Sequence, residues 1–347
     1  MTLLRFSPDA LHASRFAVSP LAETLSELTR LRQALDRQVR DQRIEAFGRW
    51  LDSDAFANGL VRLVTATKFL PDFVAVPPAR GLDIRLRDEL AEMCAIEDRQ
   101  ARATLAEAQR YAWAGEGLDW ADGAGITGRA AEVFARCWAR FVEPDWPRRR
   151  AILERDIRHR AGVIAVSGWR HVLDGMAPDV QWVGHDAIQF STQTYTDRHI
   201  GSDGLVFVPH TGLSGRWTCE TPSRIAFVYP ARGALADGSP VDGGMARLFR
   251  KGRARVLAEV RTPATPSQLA AVLGVSLGTV SAHLAALRAA GVVTTRRSGR
   301  AVYYELTSAG EELARLVTTN TEPNDQALPH GSLCEGLGLT DSDLRGT

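Results

Sequence analysis

At 347 residues the chain exceeds the usual size of one hydrophobic core, and its 45% hydrophobic and 24% charged composition is that of a folded globular protein. A mainly disordered or fibrous chain is excluded, and two domains are expected. The net charge of +1 is segregated: residues 243–319 hold eleven Arg or Lys against four Asp or Glu, a net +7, while residues 1–242 carry −2 and residues 320–347 carry −4.

Residues 1–9 contain no apolar stretch of signal-peptide length, and no segment approaches the roughly 20 apolar residues of a membrane helix. A cytoplasmic location without a membrane partner is therefore expected. Cys94, Cys137, Cys219 and Cys334 form no CxxC pair, which argues against a disulfide framework and against a thiolate-rich metal site.

Pro20 suits the first turn of a helix, and Leu21, Leu25, Leu28, Leu31 and Leu35 then fall on one stripe, so an amphipathic helix is expected over 20–35. Similar patterns predict helices over 42–51, 57–70, 84–112 and 127–142, the last with Val133, Phe134, Cys137, Trp138 and Phe141 on one face. Pro144-Asp-Trp-Pro147 breaks the chain, and Pro147 opens a long helix reaching Leu173. After Pro178 the period alternates. Segments 181–183, 187–191, 205–208, 216–219 and 224–229 are short and β-rich, which predicts a small antiparallel sheet. The stretch from Pro230 to Gly244 has linker composition. The expected fold class is α+β: a mainly helical domain with a small antiparallel sheet over 1–235, a winged helix-turn-helix over 243–319, and a disordered tail over 320–347.

In the second domain a helix is expected from Gly244 to Val260. Thr265-Pro-Ser-Gln268 then forms a capping box that fixes the start of the next helix. Gly274-Val275 supplies the short turn, and Ser276 caps a third helix in which Val280, Leu284 and Leu287 share the inner face. Gly278, Thr279 and Ala282 then point outward, with Ser281 and His283 on the flanks. Such a helix suits the major groove of double-stranded DNA, with Ser276, Thr279, Ser281, His283 and Arg288 as contacts. Residues 294–306 read as two strands joined at Ser298-Gly299. Arg296, Arg297 and Arg300 crowd that turn, as a wing laid on phosphates would require.

Gln268-Leu-Ala270, Leu273-Gly-Val-Ser276, Thr279-Val-Ser-Ala-His-Leu284, Leu287-Arg-Ala-Ala-Gly-Val-Val293 and Val302-Tyr-Tyr304 resemble, in order and spacing, the arsenical-resistance repressor family, ArsR. The resemblance implies a homodimer, paired through the first and last helices of the domain, that represses by occupying a palindromic operator. Where metal sensors of that family carry Cys, or His and Asp, this chain has Leu269 to Leu273 and Glu311-Glu-Leu-Ala-Arg315, so no metal is expected there. Leu4-Arg-Phe-Ser-Pro8, Arg15 to Leu21, Pro144-Asp-Trp-Pro147, Glu154-Arg-Asp156 and Tyr229-Pro-Ala-Arg-Gly233 resemble a domain of undefined function joined to ArsR-type winged helices in actinobacterial regulators. That resemblance conveys architecture and no ligand.

Gly123-Ala-Gly-Ile-Thr-Gly128 matches a dinucleotide fingerprint as a string but lacks a preceding strand, and Gly212-Leu-Ser-Gly215 falls one residue short of a serine-hydrolase elbow. His171, His185, His199, His210, Asp186, Asp197 and Cys219 match no metal-ligand spacing, so loop histidines are expected. Trp138, Trp146, Trp169, Trp182 and Trp217 suit core packing better than an effector pocket, and Arg148-Arg-Arg150 suits a solvated helix face. No catalytic constellation can be assembled, so no enzyme activity and no cofactor are expected. The first domain is expected to sense an unknown small molecule or to mediate assembly.

Overall fold

The computed structural model describes residues 2–7, 9–79, 81–113, 117–173, 176, 180–184, 186–191, 197–212, 215–232, 251–298 and 301–318. The predicted helices appear as α2 (Pro20–Asp36), α3 (Gln42–Ser53), α4 (Ala55–Thr65), α5 (Leu86–Cys94), α6 (Asp98–Arg110), α7 (Ile126–Cys137) and α8 (Trp146–Ser167), after a short α1 (Ala10–Ala13). The stretch expected as one helix over 84–112 is two, with a turn at Ala95–Glu97. The helix expected over 57–70 ends at Thr65, the one over 127–142 leaves the α form after Cys137, and the one expected to reach Leu173 ends at Ser167, where Gly168 takes a φ of 77°. Local sequence sets the starts: Ser19 accepts from Ala22 N–H ahead of Pro20, and Asp41 and Asp54 cap α3 and α4 in the same way.

The expected single antiparallel sheet is two four-stranded mixed sheets. Strands β1 (Thr2–Phe6), β3 (Gln181–Val183), β4 (Ala187–Ser191) and β5 (Arg198–Ile200) lie in the order β3-β4-β1-β5, with β1 and β5 parallel. Strands β2 (Arg15–Phe16), β6 (Leu205–His210), β7 (Trp217–Thr221) and β8 (Arg224–Pro230) lie in the order β2-β6-β8-β7, with β6 parallel to both β2 and β8. The physical reason is burial on both faces. Val206, Val208, Ala226 and Val228 pack into the helical core of α2 to α7, whereas Leu205, Phe207, Phe227 and Tyr229 pack against Leu4, Phe6, Ile188 and Ile200 of the other sheet. Every residue of β6 is buried, as a strand between two apolar layers must be.

Helix α8 is held to this body by buried charge. Arg149 donates to Glu23 at 2.6 Å and to Glu27 at 3.0 Å, two α2 carboxylates that share its guanidinium. Burial alone would raise the Glu27 carboxyl, but the Arg30 hydrogen bond and the charges of Arg149, Arg30 and Arg43 bring it below its ordinary value. One face further along, Asp156 accepts from Arg160 (2.9 Å), from the Tyr229 hydroxyl (2.7 Å) and from Arg232 N–H (3.0 Å). A third buried acid, Glu89, accepts from Leu21 N–H at 2.8 Å and lies 2.5 Å from Ser19 Oγ at the start of α2. Desolvation pushes its carboxyl up to about 8, against the lowering effect of these hydrogen bonds.

His210 ends β6 wholly buried. Its Nδ1 accepts from Gly212 N–H at 3.0 Å and lies 2.9 Å from Ser26 Oγ, while Nε2 lies 2.9 Å from the Gly215 carbonyl. The Gly212 donor assigns the proton to Nε2, and burial holds the imidazole below its ordinary pKa in this neutral form.

The C-terminal part has an opening helix (Lys251–Glu259), a second helix (Pro266–Leu273), a third helix (Leu277–Ala289), two antiparallel strands (Val293–Ser298 and Ala301–Leu306) and a closing helix (Ser308–Thr318). Its own core joins Val256, Leu257, Leu269, Val280, Leu284 and Leu287. The Gly244 end of the expected first helix, most of the linker stretch and the 320–347 tail lie outside the described residues. No described helix is by itself long and apolar enough to cross a membrane; the second and third helices pass that test only together, and they bend by 117° at their break.

Candidate nucleic-acid interface

The turn between the second and third helices forms as its residues dictate. Thr265 accepts from Gln268 N–H and the Gln268 side chain accepts from Thr265 N–H, which closes the capping box. Gly274 then takes a left-handed backbone with φ 64°, a conformation costly for residues with a Cβ. Ser276 caps the third helix by accepting from Thr279 N–H at 3.1 Å, and its hydroxyl lies 2.8 Å from the Thr279 hydroxyl. Val280, Leu284 and Leu287 are buried beneath, so the outer face is left to small side chains.

Ser276, Gly278, Thr279, Ser281, Ala282 and Arg288 are exposed on that third helix. Leu277, which sequence reasoning did not single out, is 51% exposed in its first turn. His283 is placed differently: it is half-buried, and a Cβ on Gly252 of the opening helix would lie 2.8 Å from its Nε2. It sits three residues after Val280 and four before Leu287, on the edge of the inner face, and so leans toward the opening helix. The signal that finds this is the glycine at 252, where a larger residue would displace the imidazole.

In the wing, Arg296 and Arg297 are exposed on the first strand, opposite Tyr303 and Val302. Arg296 lies 3.4 Å from Glu305, whereas Arg297 makes no side-chain bond among the described residues. Arg300 lies outside the described residues. The two exposed wing arginines and Arg288 thus stand on the domain that carries the excess positive charge.

The second helix is covered by α8. Val272 packs among Val18, Ala151 and Ile152, Arg148 donates to the Val272 carbonyl at 3.0 Å, and Arg155 pairs with Glu259 of the opening helix. The Arg148-Arg-Arg150 run is therefore no uniform solvated face. Arg149 is buried on α2, Arg148 reaches the winged helix, and Arg150 pairs with Glu154 and Asp83.

The other sequence candidates separate. Gly123 to Gly128 follows a 3-10 turn and opens α7, where Asp98 already accepts from the N–H groups of Gly125 (2.6 Å) and Ile126 (2.9 Å). A carboxylate thus holds the donors that a pyrophosphate would need. Gly212 and Gly215 lie between β6 and β7, while Leu213 and Ser214 lie outside the described residues. No group of His, Cys, Asp and Glu able to hold a metal occurs among the described residues, and His185 lies outside them. Trp138 packs on Trp146, Trp169 on Phe16 and Phe207, and Trp182 on Phe6; Trp217 lies tilted against His210 and faces a cleft.

Comparison with curated proteins finds none that matches the chain. A family model described as a helix-turn-helix domain matches residues 252–296, which span the opening helix, the second and third helices and part of the first wing strand. The C-terminal part of this chain is accordingly a helix-turn-helix domain, the kind found in DNA-binding regulators.

Proposed function

We propose that the chain is a transcription regulator of the ArsR type, a homodimeric repressor that occupies a palindromic operator and pairs through its opening and closing helices. The observation that carries this reading is the outer face of the third helix. It offers exposed Thr279, Ser281 and Leu277, on a domain of net charge +7 that also exposes Arg288, Arg296 and Arg297. Small hydroxyls allow the helix to approach base edges, and the arginines hold phosphates. Ser276 acts chiefly as the cap that sets the angle of this helix, and His283 as its brace on the opening helix. The first domain acts as the sensing part and performs no catalysis.

The test is fluorescence anisotropy with DNA upstream of the protein's own gene. Palindrome-specific binding that weakens steeply with added salt is expected. Arg297→Ala should lower affinity on all sequences and reduce the salt slope by about one, whereas Thr279→Ala should change base preference with little change in slope. Equal affinity for specific and random duplexes at physiological salt, or a monomer by sedimentation while DNA is bound, would remove the reading.

A further inference from the structure

We propose that the cleft between α2, the turns that follow α4 and α6, and β7 binds an organic cation, a protonated amine carried on an aromatic skeleton. The proposal rests on the reading of the first domain as the sensing part, and it names the ligand class. The cleft has a volume of about 800 Å³, within the range of small-molecule sites. Phe69, Tyr111, Trp113, Phe190 and Trp217 line it. Val39, Tyr111 and Trp113, the last 66% exposed, make up half of the six large apolar side chains left exposed among the described residues. Exposed apolar side chains gathered at a single concavity mark a binding surface.

The charges of the cleft decide the class. Arg30 is held on Glu27 by hydrogen bonds of 3.0 and 2.6 Å, Arg198 on Glu220 at 2.7 Å, and Arg216 on the Phe190 carbonyl at 2.9 Å. Lys68 and Arg37 are exposed at the rim, where water and salt screen them. Asp72 lies half-buried in a turn packed on β7, and Glu107 is half-buried on α6; neither forms a hydrogen bond or ion pair among the described residues. Burial, with the negative charges of Glu220 and Glu107 and against the pull of Arg198, pushes the Asp72 carboxyl up to about 6. An arriving cation relieves this crowding and lies against ring faces, whereas an anion would meet unpaired carboxylates and arginines already engaged.

The test uses the full chain and three probes that share one ring system: 2-naphthylmethylamine, 2-naphthylmethanol and 2-naphthylacetate, followed by calorimetry and tryptophan quenching at about pH 7.5, where Asp72 is ionised. The amine is expected to bind roughly tenfold or more tightly than the alcohol and the acid. Asp72→Asn should weaken the amine about tenfold and leave the alcohol unchanged, and Trp113→Ala, at an exposed position that folding does not need, should weaken both. Acid binding as tight as amine binding, no amine binding, or an amine affinity unmoved in the Asp72→Asn, Glu107→Gln double variant would overturn the proposal. DNA anisotropy on the same samples separates the two readings. Intact operator binding without amine binding removes only the ligand class, and amine binding without operator binding removes only the regulator.

Discussion

Arg149 holds Glu23 and Glu27 one helical turn apart on α2, and all three side chains are nearly shielded from water. Removing the cation while leaving both carboxylates buried costs far more than the pair contributes, so Arg149→Met should lose about 3–5 kcal/mol in urea unfolding. Adding Glu23→Gln and Glu27→Gln should restore part of that loss. Glu89 makes a different prediction. Its folded carboxyl, raised to about 8, binds a proton that the unfolded chain releases near pH 4.5. Its contribution is therefore full below that value and lost as pH rises through 8. Glu89→Gln should flatten the fall in unfolding free energy between pH 5 and pH 8 by on the order of 3 kcal/mol. None of this was legible beforehand. Successive residues of a helix point about 100° apart, so the run Arg148-Arg-Arg150 sends three like side chains to three surroundings, and only the packing decides which is buried.

At the scale of elements, the starts of α2, α3 and α4 and of the second and third helices of the helix-turn-helix followed from spacing and caps, because Ser19, Asp41, Asp54, Thr265 and Ser276 act on their own neighbours, whereas the break at 95–97 between α5 and α6 did not. The sheets did not follow. The alternation along β7 and β8 shows that strands exist, but the parallel pairing of β6 with β8 and of β1 with β5 joins segments distant in sequence, and no local period encodes a partner. His283 marks a similar limit in the site: its spacing puts it on the inner edge, but the room its imidazole takes there depends on Gly252 in another helix. The cleft was equally hidden: its walls come from α2, α6, β4, β5 and β7, and Trp217 alone of the five weighed tryptophans faces it. Val272 belongs to this scale as well. Val272→Asp places a carboxylate against Val18, Ala151 and Ile152, and hydrogen exchange should rise along the first three turns of α8 while the α2 to α7 core keeps its protection.

For the whole molecule, α8 is the common member of three contacts. Through Arg149 it reaches Glu27, which also binds the cleft-lining Arg30; through Asp156 it holds β8; through Arg148 and Arg155 it meets the winged helix. A ligand that displaces Arg30 thus acts two hydrogen bonds, through Glu27, from the Arg149 that seats α8. The strand β1 carries a consequence of another kind. Leu3 donates to Asp197, 194 residues further on, and β1 forms the only join between β4 and β5 among the described strands. On a ribosome adding about 5–20 residues per second, the first strand waits on the order of 10–40 s for its partners. Throughout that time its apolar Leu3, Leu4 and Phe6 have no sheet to enter, and the open strand edges can pair with other chains. The helix-turn-helix follows these strands in the chain, so the body that seats α8 has all its strands before that domain emerges, and the yield of soluble protein should be governed by the pace of synthesis between β1 and β5.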